Sequence, residues 1–142
     1  MIWFDASLER PADDGLLRRC IAALLNISGE NVDVVHSISE IKDALATCVV
    51  ETSSADSYSQ LVTIYLSEAL PHLGVLESAA HLARSLDRSL LLVNDATANP
   101  YSFIRVSHAG QHSVVLVDPD ELDENGRYVI REAHLRNDEG LT

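Results

Sequence analysis

Two stretches of the chain place apolar residues at the spacing of an amphipathic helix, and runs of β-favouring residues flank both of them. In residues 16–25 and again in residues 75–86, leucine, alanine and similar side chains recur three and four positions apart, which predicts two helices with one apolar face each. Four short apolar runs predict strands. They are residues 1–6, 48–52, 60–67 and 89–93. The predicted order is therefore strand, helix, strand, strand, helix, strand.

This order is that of the ferredoxin-like, split βαβ plan. It predicts an α+β fold in which a mainly antiparallel sheet carries two helices on one face. Residues 89–93 are apolar without interruption, which is typical of a strand that is buried on both faces or nearly so. A length of 142 residues without linkers or internal repeats predicts a single domain over residues 1–142.

A C-terminal β-meander is predicted to follow the βαββαβ start. Residues 101–107, 113–117 and 127–131 are strand-like, and an Asn-Gly dipeptide at 125–126, before the last of them, is typical of tight turns. We expect the meander to extend the sheet at an edge or to lie on its other face. Residues 134–142 are polar, and we expect them to fray.

The segment that follows the first helix is open to two interpretations. The valines within residues 32–35 predict either a brief strand or an extended loop. Ser37 and Glu40 then have the spacing of a capping box, and apolar residues follow at helical spacing. This pattern predicts a short helix over residues 37–45.

The charge of the chain argues against two classes of partner. It carries 22 acidic and 10 basic side chains, which gives a formal net charge of −12. Nucleic acids and anionic membranes are bound through clustered lysine and arginine, so the sequence predicts neither as a partner. The start of the chain lacks the basic and apolar regions of a secretory signal, and no apolar run is long enough to cross a bilayer. We therefore expect a cytoplasmic protein.

The densest charge is an acidic run at residues 118–124, where five of seven positions are carboxylates. Such crowding costs Coulomb energy unless counter-charges lie nearby, so the run is interpreted as either a solvated loop or a docking patch for a basic protein. Calcium binding is disfavoured because the EF-hand order with its central glycine is absent. Tyr128 beside the run would suit a binding hot spot if exposed, and Asp95 lies in the turn after a buried strand. The predicted partner-binding residues are Asp118, Asp120, Glu121, Asp123 and Glu124, with Asp95 and Tyr128 as lesser candidates.

No arrangement of residues in the sequence identifies a reaction. Nucleophile-elbow, dinucleotide-binding, P-loop and zinc-protease motifs are all absent, and the hydroxyl-rich residues 53–59 predict a hairpin loop. Cys20 and Cys48 lie in apolar patterns and are interpreted as buried thiols. His108 and His112 flank a turn without further metal ligands nearby. We therefore predict no enzymatic activity, no metal and no cofactor.

The helix, strand, Asn-Pro-Tyr and strand of residues 75–106 follow one another within a small acidic chain. In this stretch, in size and in charge, the chain resembles the small acidic immunity proteins of bacterial contact-dependent and other polymorphic toxin systems. The resemblance implies a cognate toxin domain, often a nuclease, bound in the cytosol of the producing cell. It carries over no individual functional residue. An acidic inhibitor can cover a basic active site by placing carboxylates where phosphates would lie.

Two other classes of function stay open at this point. The first is a ferredoxin-like domain that forms a homodimer through its sheet and either binds a small molecule or acts as a regulatory domain. The second is an enzyme that uses scattered carboxylates, which would require a pair with separated pKa values in one cleft. The sequence leaves the oligomeric state undetermined.

Overall fold

Eight strands form one open sheet in a computed structural model that describes residues 1–71 and 73–135, the last four of these by their backbone alone. The strands are β1 Ile2–Leu8, β2 Val32–Val35, β3 Ala46–Thr52, β4 Gln60–Leu66, β5 Leu90–Val93, β6 Ser102–Val106, β7 His112–Val117 and β8 Ile130–Leu135. The helices are α1 Asp14–Leu25, α2 Val75–Leu86 and α3 Pro119–Asn125. Across the sheet the order is β2-β3-β4-β1-β5-β6-β7-β8.

The centre of the sheet has the predicted ferredoxin-like arrangement. β3, β4, β1 and β5 lie side by side, and each is antiparallel to its neighbours. β4 lies between β1 and β3, which the crossover with α1 connects, and β1 lies between β4 and β5, which the crossover with α2 connects. Each of these is a split βαβ unit. The α+β class and the mainly antiparallel sheet are thus confirmed. β2 adds to this plan by pairing parallel to β3, and β6, β7 and β8 extend the opposite edge as an antiparallel meander.

Local signals explain where the two long helices begin and end. The Asp13 side chain caps α1 by accepting a hydrogen bond from the backbone N–H of Leu16 at 2.8 Å. α1 ends at Asn26 and α2 at Asp87, and both of these residues adopt the left-handed conformation that terminates helices. The buried face of α1 includes Leu17, and the two helices pack on one face of the sheet.

The two faces of the sheet carry separate hydrophobic cores, because side chains alternate along each strand. The main core lies between the sheet and helices α1 and α2, and it takes Leu90 and Leu92 from β5. Leu91, between them, points to the opposite face, so β5 is buried on both sides as predicted. There it belongs to a second core. The second core consists of Tyr58, Leu91, Phe103, Val115 and Val117, with Tyr101, Leu122, Tyr128 and Ile130 packed against it.

Of the two interpretations of residues 118–124, the solvated loop is wrong, because Asp118 caps helix α3 and residues 119–124 lie within it. Asp118 Oδ1 accepts hydrogen bonds from the backbone N–H of Asp120 at 2.9 Å and of Glu121 at 3.2 Å. Pro119 occupies the first helical position, where its missing N–H costs nothing. Gly126 ends the helix in the left-handed conformation with φ 65°. The cap and the apolar contact of α3 with the second core outweigh the repulsion among its carboxylates.

Two further boundaries differ from the prediction. The last strand begins at Ile130 rather than 127, because the Arg127 N–H bonds back to the Glu121 carbonyl and closes α3. That strand also takes in positions 134 and 135, which were expected to fray, while residues 136–142 lie outside the described residues. In place of a helix over 37–45 there is a single 3-10 turn, Ile38–Glu40. Among the described residues, no helix combines the length and apolar character needed to cross a bilayer.

Candidate functional site

Helix α3 presents the five predicted carboxylates, but three of them are engaged within the molecule. Asp118 caps its own helix. Glu121 Oε1 lies 2.6 Å from Arg127 Nη2 and 3.0 Å from Arg127 Nε, and Asp123 Oδ2 accepts a 2.6 Å hydrogen bond from the hydroxyl of Tyr101. The other two carboxylates are exposed, and no other described residue hydrogen bonds to their side chains. They are Asp120 and Glu124.

Electrostatics keep this surface negative at neutral pH. Hydrogen bonds from Arg127 and then Asn125 hold the pKa of the Glu121 carboxyl below its ordinary value, and the same contact raises the pKa of the Arg127 guanidinium. The hydrogen bond to Asp123 raises the pKa of the Tyr101 phenol, so the phenol stays neutral and remains a donor. Residues 118–127 therefore combine five carboxylates with one guanidinium.

The two lesser candidates lie in different environments. Asp95 is exposed in the turn after β5, and this turn contacts α3 through the bond between Tyr101 and Asp123. Tyr128 is half-buried, and its ring packs edge-on against Phe103 with a centroid separation of 5.4 Å. Tyr128 thus contributes to the second core as well as to the surface beside α3.

A groove of about 400 Å³ lies next to α3, between residues 56–58 of the β3–β4 loop and residues 127–130. Its apolar side includes Val129, which is 41% exposed. Its charged side includes Asp56, whose Oδ1 lies 4.0 Å from Arg127 Nη1. Sequence reasoning missed Asp56 and Arg127 as site residues. The signal for Arg127 was present, since a cation directly after an acidic run is the counter-charge that such a run requires.

One wall of the groove is held by a buried hydrogen-bonded chain centred on Tyr58. The Tyr58 hydroxyl lies 2.7 Å from Ser89 Oγ and accepts a 3.2 Å bond from Arg105 Nε. Ser89 Oγ and its backbone N–H both donate to Glu9 Oε1, and the backbone contact is the main reason why the pKa of Glu9 is lowered. Tyr58 is 6% exposed and has φ 63°, an uncommon conformation for a bulky residue. These contacts therefore fix the β3–β4 loop against the sheet.

The predicted buried thiols are confirmed. Cys20 and Cys48 are both buried and free. Burial raises the pKa of the Cys48 thiol to about 12 and that of Cys20 above its ordinary value, so neither is a thiolate nucleophile at neutral pH. His108 and His112 are exposed at the turn between β6 and β7. Within residues 1–71 and 73–135, no group of three or more potential ligands is placed to hold a metal ion.

No family model, curated protein or solved structure matches this chain.

Proposed function

We propose that this chain is a binding protein that neutralises a basic protein partner, and that it acts as an immunity protein against a nuclease toxin domain. The observation that carries the proposal is helix α3, which holds exposed carboxylates in one fixed arrangement on a chain of net charge −12. A negative field raises the rate of encounter with a cationic surface and gives complementary charges at the interface.

Rigidity of the acidic surface supports this proposal. Leu122 packs against the second core, and Asp123 bonds to Tyr101 directly before β6, so both attach α3 to the sheet. Glu121 bonds to Arg127 and fixes the segment that follows the helix. The exposed carboxylates of Asp120 and Glu124 are thus carried on an ordered helix. A preorganised surface loses less conformational entropy on binding than a mobile acidic loop does.

Inhibition follows from occupation of the partner's substrate site. A nuclease binds phosphates through lysine and arginine side chains, and carboxylates can occupy the same positions. The bound chain then blocks access of nucleic acid without any chemical step. The proposal expects no enzymatic activity, no cofactor, no nucleic-acid or membrane partner for the chain itself, and action in the cytoplasm of the producing cell.

The test is protection against a toxin domain encoded beside this gene. The C-terminal domain of a secreted protein from the neighbouring reading frame is expressed in a bacterial host with and without this chain. We expect the chain to restore growth and to bind the purified domain with an association rate that falls as salt rises, because screening acts over about 8 Å at physiological ionic strength. A salt-insensitive association rate, or no protection, would count against the proposal.

A charge-neutralised pair of variants locates the contact. Asp120→Asn with Glu124→Gln removes the two exposed carboxylates of α3 that no described side chain engages, so no internal hydrogen bond is lost. Glu30→Gln with Glu68→Gln removes the same charge elsewhere on the exposed surface and is the matched control. We expect the first double variant to slow association about tenfold and the control to slow it much less.

A homodimeric, small-molecule-binding or regulatory domain is the second candidate, and one observation favours it. The sheet face opposite α1 and α2 is only partly covered, and Val93 of β5 remains 59% exposed. Sedimentation at two concentrations tests this candidate. A dimer that Val93→Asp dissociates would support it, and a monomer at high micromolar concentration would exclude it.

A further inference from the structure

The groove beside α3 and the outermost strand of the sheet share one residue, since Ile130 lines the groove and begins β8. We propose that this groove and the outer edge of β8, which no strand of the described residues pairs with, together bind an extended basic segment of the partner. This segment adds a strand to the sheet and places an arginine between Asp56 and Tyr128. This inference rests on the proposed function and specifies how the partner is held.

The edge is available in the described part of the chain. β8 is the last strand of the sheet and pairs there with β7 alone. An edge strand directs alternate backbone N–H and C=O groups outward, where another chain can pair with them. The pairing between β7 and β8 is irregular only near the Leu116–Val117 step, and positions 132–135 are in regular register. The opposite edge strand, β2, has only four residues and a 3-10 turn at each end.

The groove offers an anchor for one side chain of the added segment. Tyr128 and Ile130 are half-buried, and Val129, which also lines the groove, is 41% exposed. A long side chain placed there covers apolar surface while its polar end reaches the rim. Burial of an anchor next to a strand-pairing edge is how peptide-binding sheets combine affinity with specificity.

The charge at the rim selects a cation. Arg127 directs Nε and Nη2 at Glu121, while its Nη1 remains 4.0 Å from Asp56 Oδ1, beyond hydrogen-bond distance. The Asp56 side chain is 45% exposed and so can accept a further donor. A guanidinium suits this position better than an ammonium, because it is planar, stacks on a tyrosine ring and still donates to a carboxylate.

The probe is a capped hexapeptide of alternating arginine and valine, and the control is its glutamate–valine counterpart. Backbone amide shifts of the full chain are followed by NMR during titration. We expect the arginine peptide to shift amides of residues 56–58 and 127–135, and the glutamate peptide to shift none. A third peptide, with alternate amides of the arginine peptide N-methylated, cannot add a strand, and we expect it to lose most of the binding.

Variants test the two parts of the groove separately. Asp56→Asn should weaken the arginine peptide about tenfold, whereas Asp43→Asn, on an exposed loop elsewhere, should not. Val129→Ser should weaken it several-fold, with Val93→Ser as the control at an exposed valine outside the groove.

Several outcomes would overturn this inference. These are shifts confined to α3, equal binding of the N-methylated or glutamate peptide, no shift at millimolar peptide, and a dimer of this chain paired through β8. None of these outcomes contradicts the proposed function, which is tested by growth protection and by the Asp120 and Glu124 variants. Conversely, peptide binding at the groove together with a failure to protect against the toxin domain would support the groove as a binding site and contradict the toxin as its partner.

Discussion

The hydrophobic cores on the two faces of the sheet differ in size. In the described part of the chain, the main core contains 24 buried residues from two helices, six strands and the connection before α1, whereas the second core contains five. The main core is largely aliphatic and needs few polar contacts. The second core is partly aromatic, and polar contacts at its rim involve Tyr58, Tyr101, Glu121 and Arg127. Stability therefore resides mainly on the helix face, and an ordered surface is presented on the other.

This division is compatible with the proposed binding function, which requires side chains held in place on the surface. A large core tolerates a surface that is unfavourable in itself, such as the crowded carboxylates of α3. The small core does not have to stabilise the fold; it has only to keep α3 and the β3–β4 loop in place. Substitutions on the two faces should consequently differ in what they change as well as in how much.

The largest difference is expected from leucine truncation. Leu82→Ala removes a fully buried side chain of α2 from the main core and should lower the free energy of unfolding by about 2–5 kcal/mol. Leu122→Ala on α3 removes a half-buried side chain of the second core and should cost less than half as much. Urea denaturation followed by circular dichroism measures both. Equal losses would contradict the division into a stabilising and a presenting face.

The next effect concerns the polar chain that holds the β3–β4 loop. Tyr58→Phe keeps the ring but leaves Ser89 Oγ and Arg105 Nε without the phenolic oxygen, and should lower stability by about 1–2 kcal/mol. Tyr65→Phe is the matched control, since no other described residue hydrogen bonds to the Tyr65 hydroxyl. If both variants unfold at the same urea concentration, the chain through Tyr58 does not stabilise the loop.

The same substitution of an N-cap aspartate can be made in both regions, at α1 on the main core and at α3 on the second core. Asp13→Ala and Asp118→Ala each remove an aspartate that caps a helix, and each should cost about 1 kcal/mol. The first loss should appear in global unfolding, because α1 is part of the main core. The second should appear as faster hydrogen exchange of the α3 amides with little change in the urea midpoint. A global loss from Asp118→Ala would show that α3 unfolds together with the rest.

Much of the main core and of the elements around it was predictable from the sequence, because apolar residues recur there at helical or strand spacing. The spacing of Leu17, Ile21 and Leu82 identifies amphipathic helices, and the apolar run at β5 identifies a strand buried on both faces. These signals are local. The parallel pairing of β2 with β3 is not encoded at either strand, because it depends on how the chain between them crosses the sheet.

The side of the sheet with the second core and α3 was harder to predict, because its sequence signals favour different structures. The acidic run reads as solvated loop, yet Asp118, Pro119 and Gly126 are the cap, first-position and terminating residues of a helix. Given these three, α3 could have been identified. The approach of Asp56 to Arg127 could not, because it depends on Tyr58 folding the β3–β4 loop across the opposite face of the sheet.

The smallest expected effect is on how stability depends on pH, which differs in direction between the two regions. His36 Nε2 lies 2.9 Å from Asp14 Oδ2 beside α1, and this hydrogen bond raises the pKa of His36. A raised folded-state pKa means that the pair stabilises fully below the ordinary histidine value of about 6.5 and loses this contribution as pH rises through the raised value. The pair of Glu121 with Arg127 behaves oppositely. Its lowered carboxyl pKa gives stability above the ordinary glutamate value, lost as pH falls through the lowered one.

NMR titration of the His36 imidazole measures the first of these pairs directly. Asp14→Asn keeps the shape of the partner but removes its charge, so the titration midpoint of His36 should move down toward the ordinary histidine range. Glu121→Gln, in the presenting half, is the control and should leave the His36 curve where it is. A midpoint unchanged by Asp14→Asn would mean that the contact between His36 and Asp14 is not maintained in solution. The His36–Asp14 pair is exposed and the Glu121–Arg127 pair is partly exposed, so added salt should weaken both. The opposite pH directions are what separate the two regions.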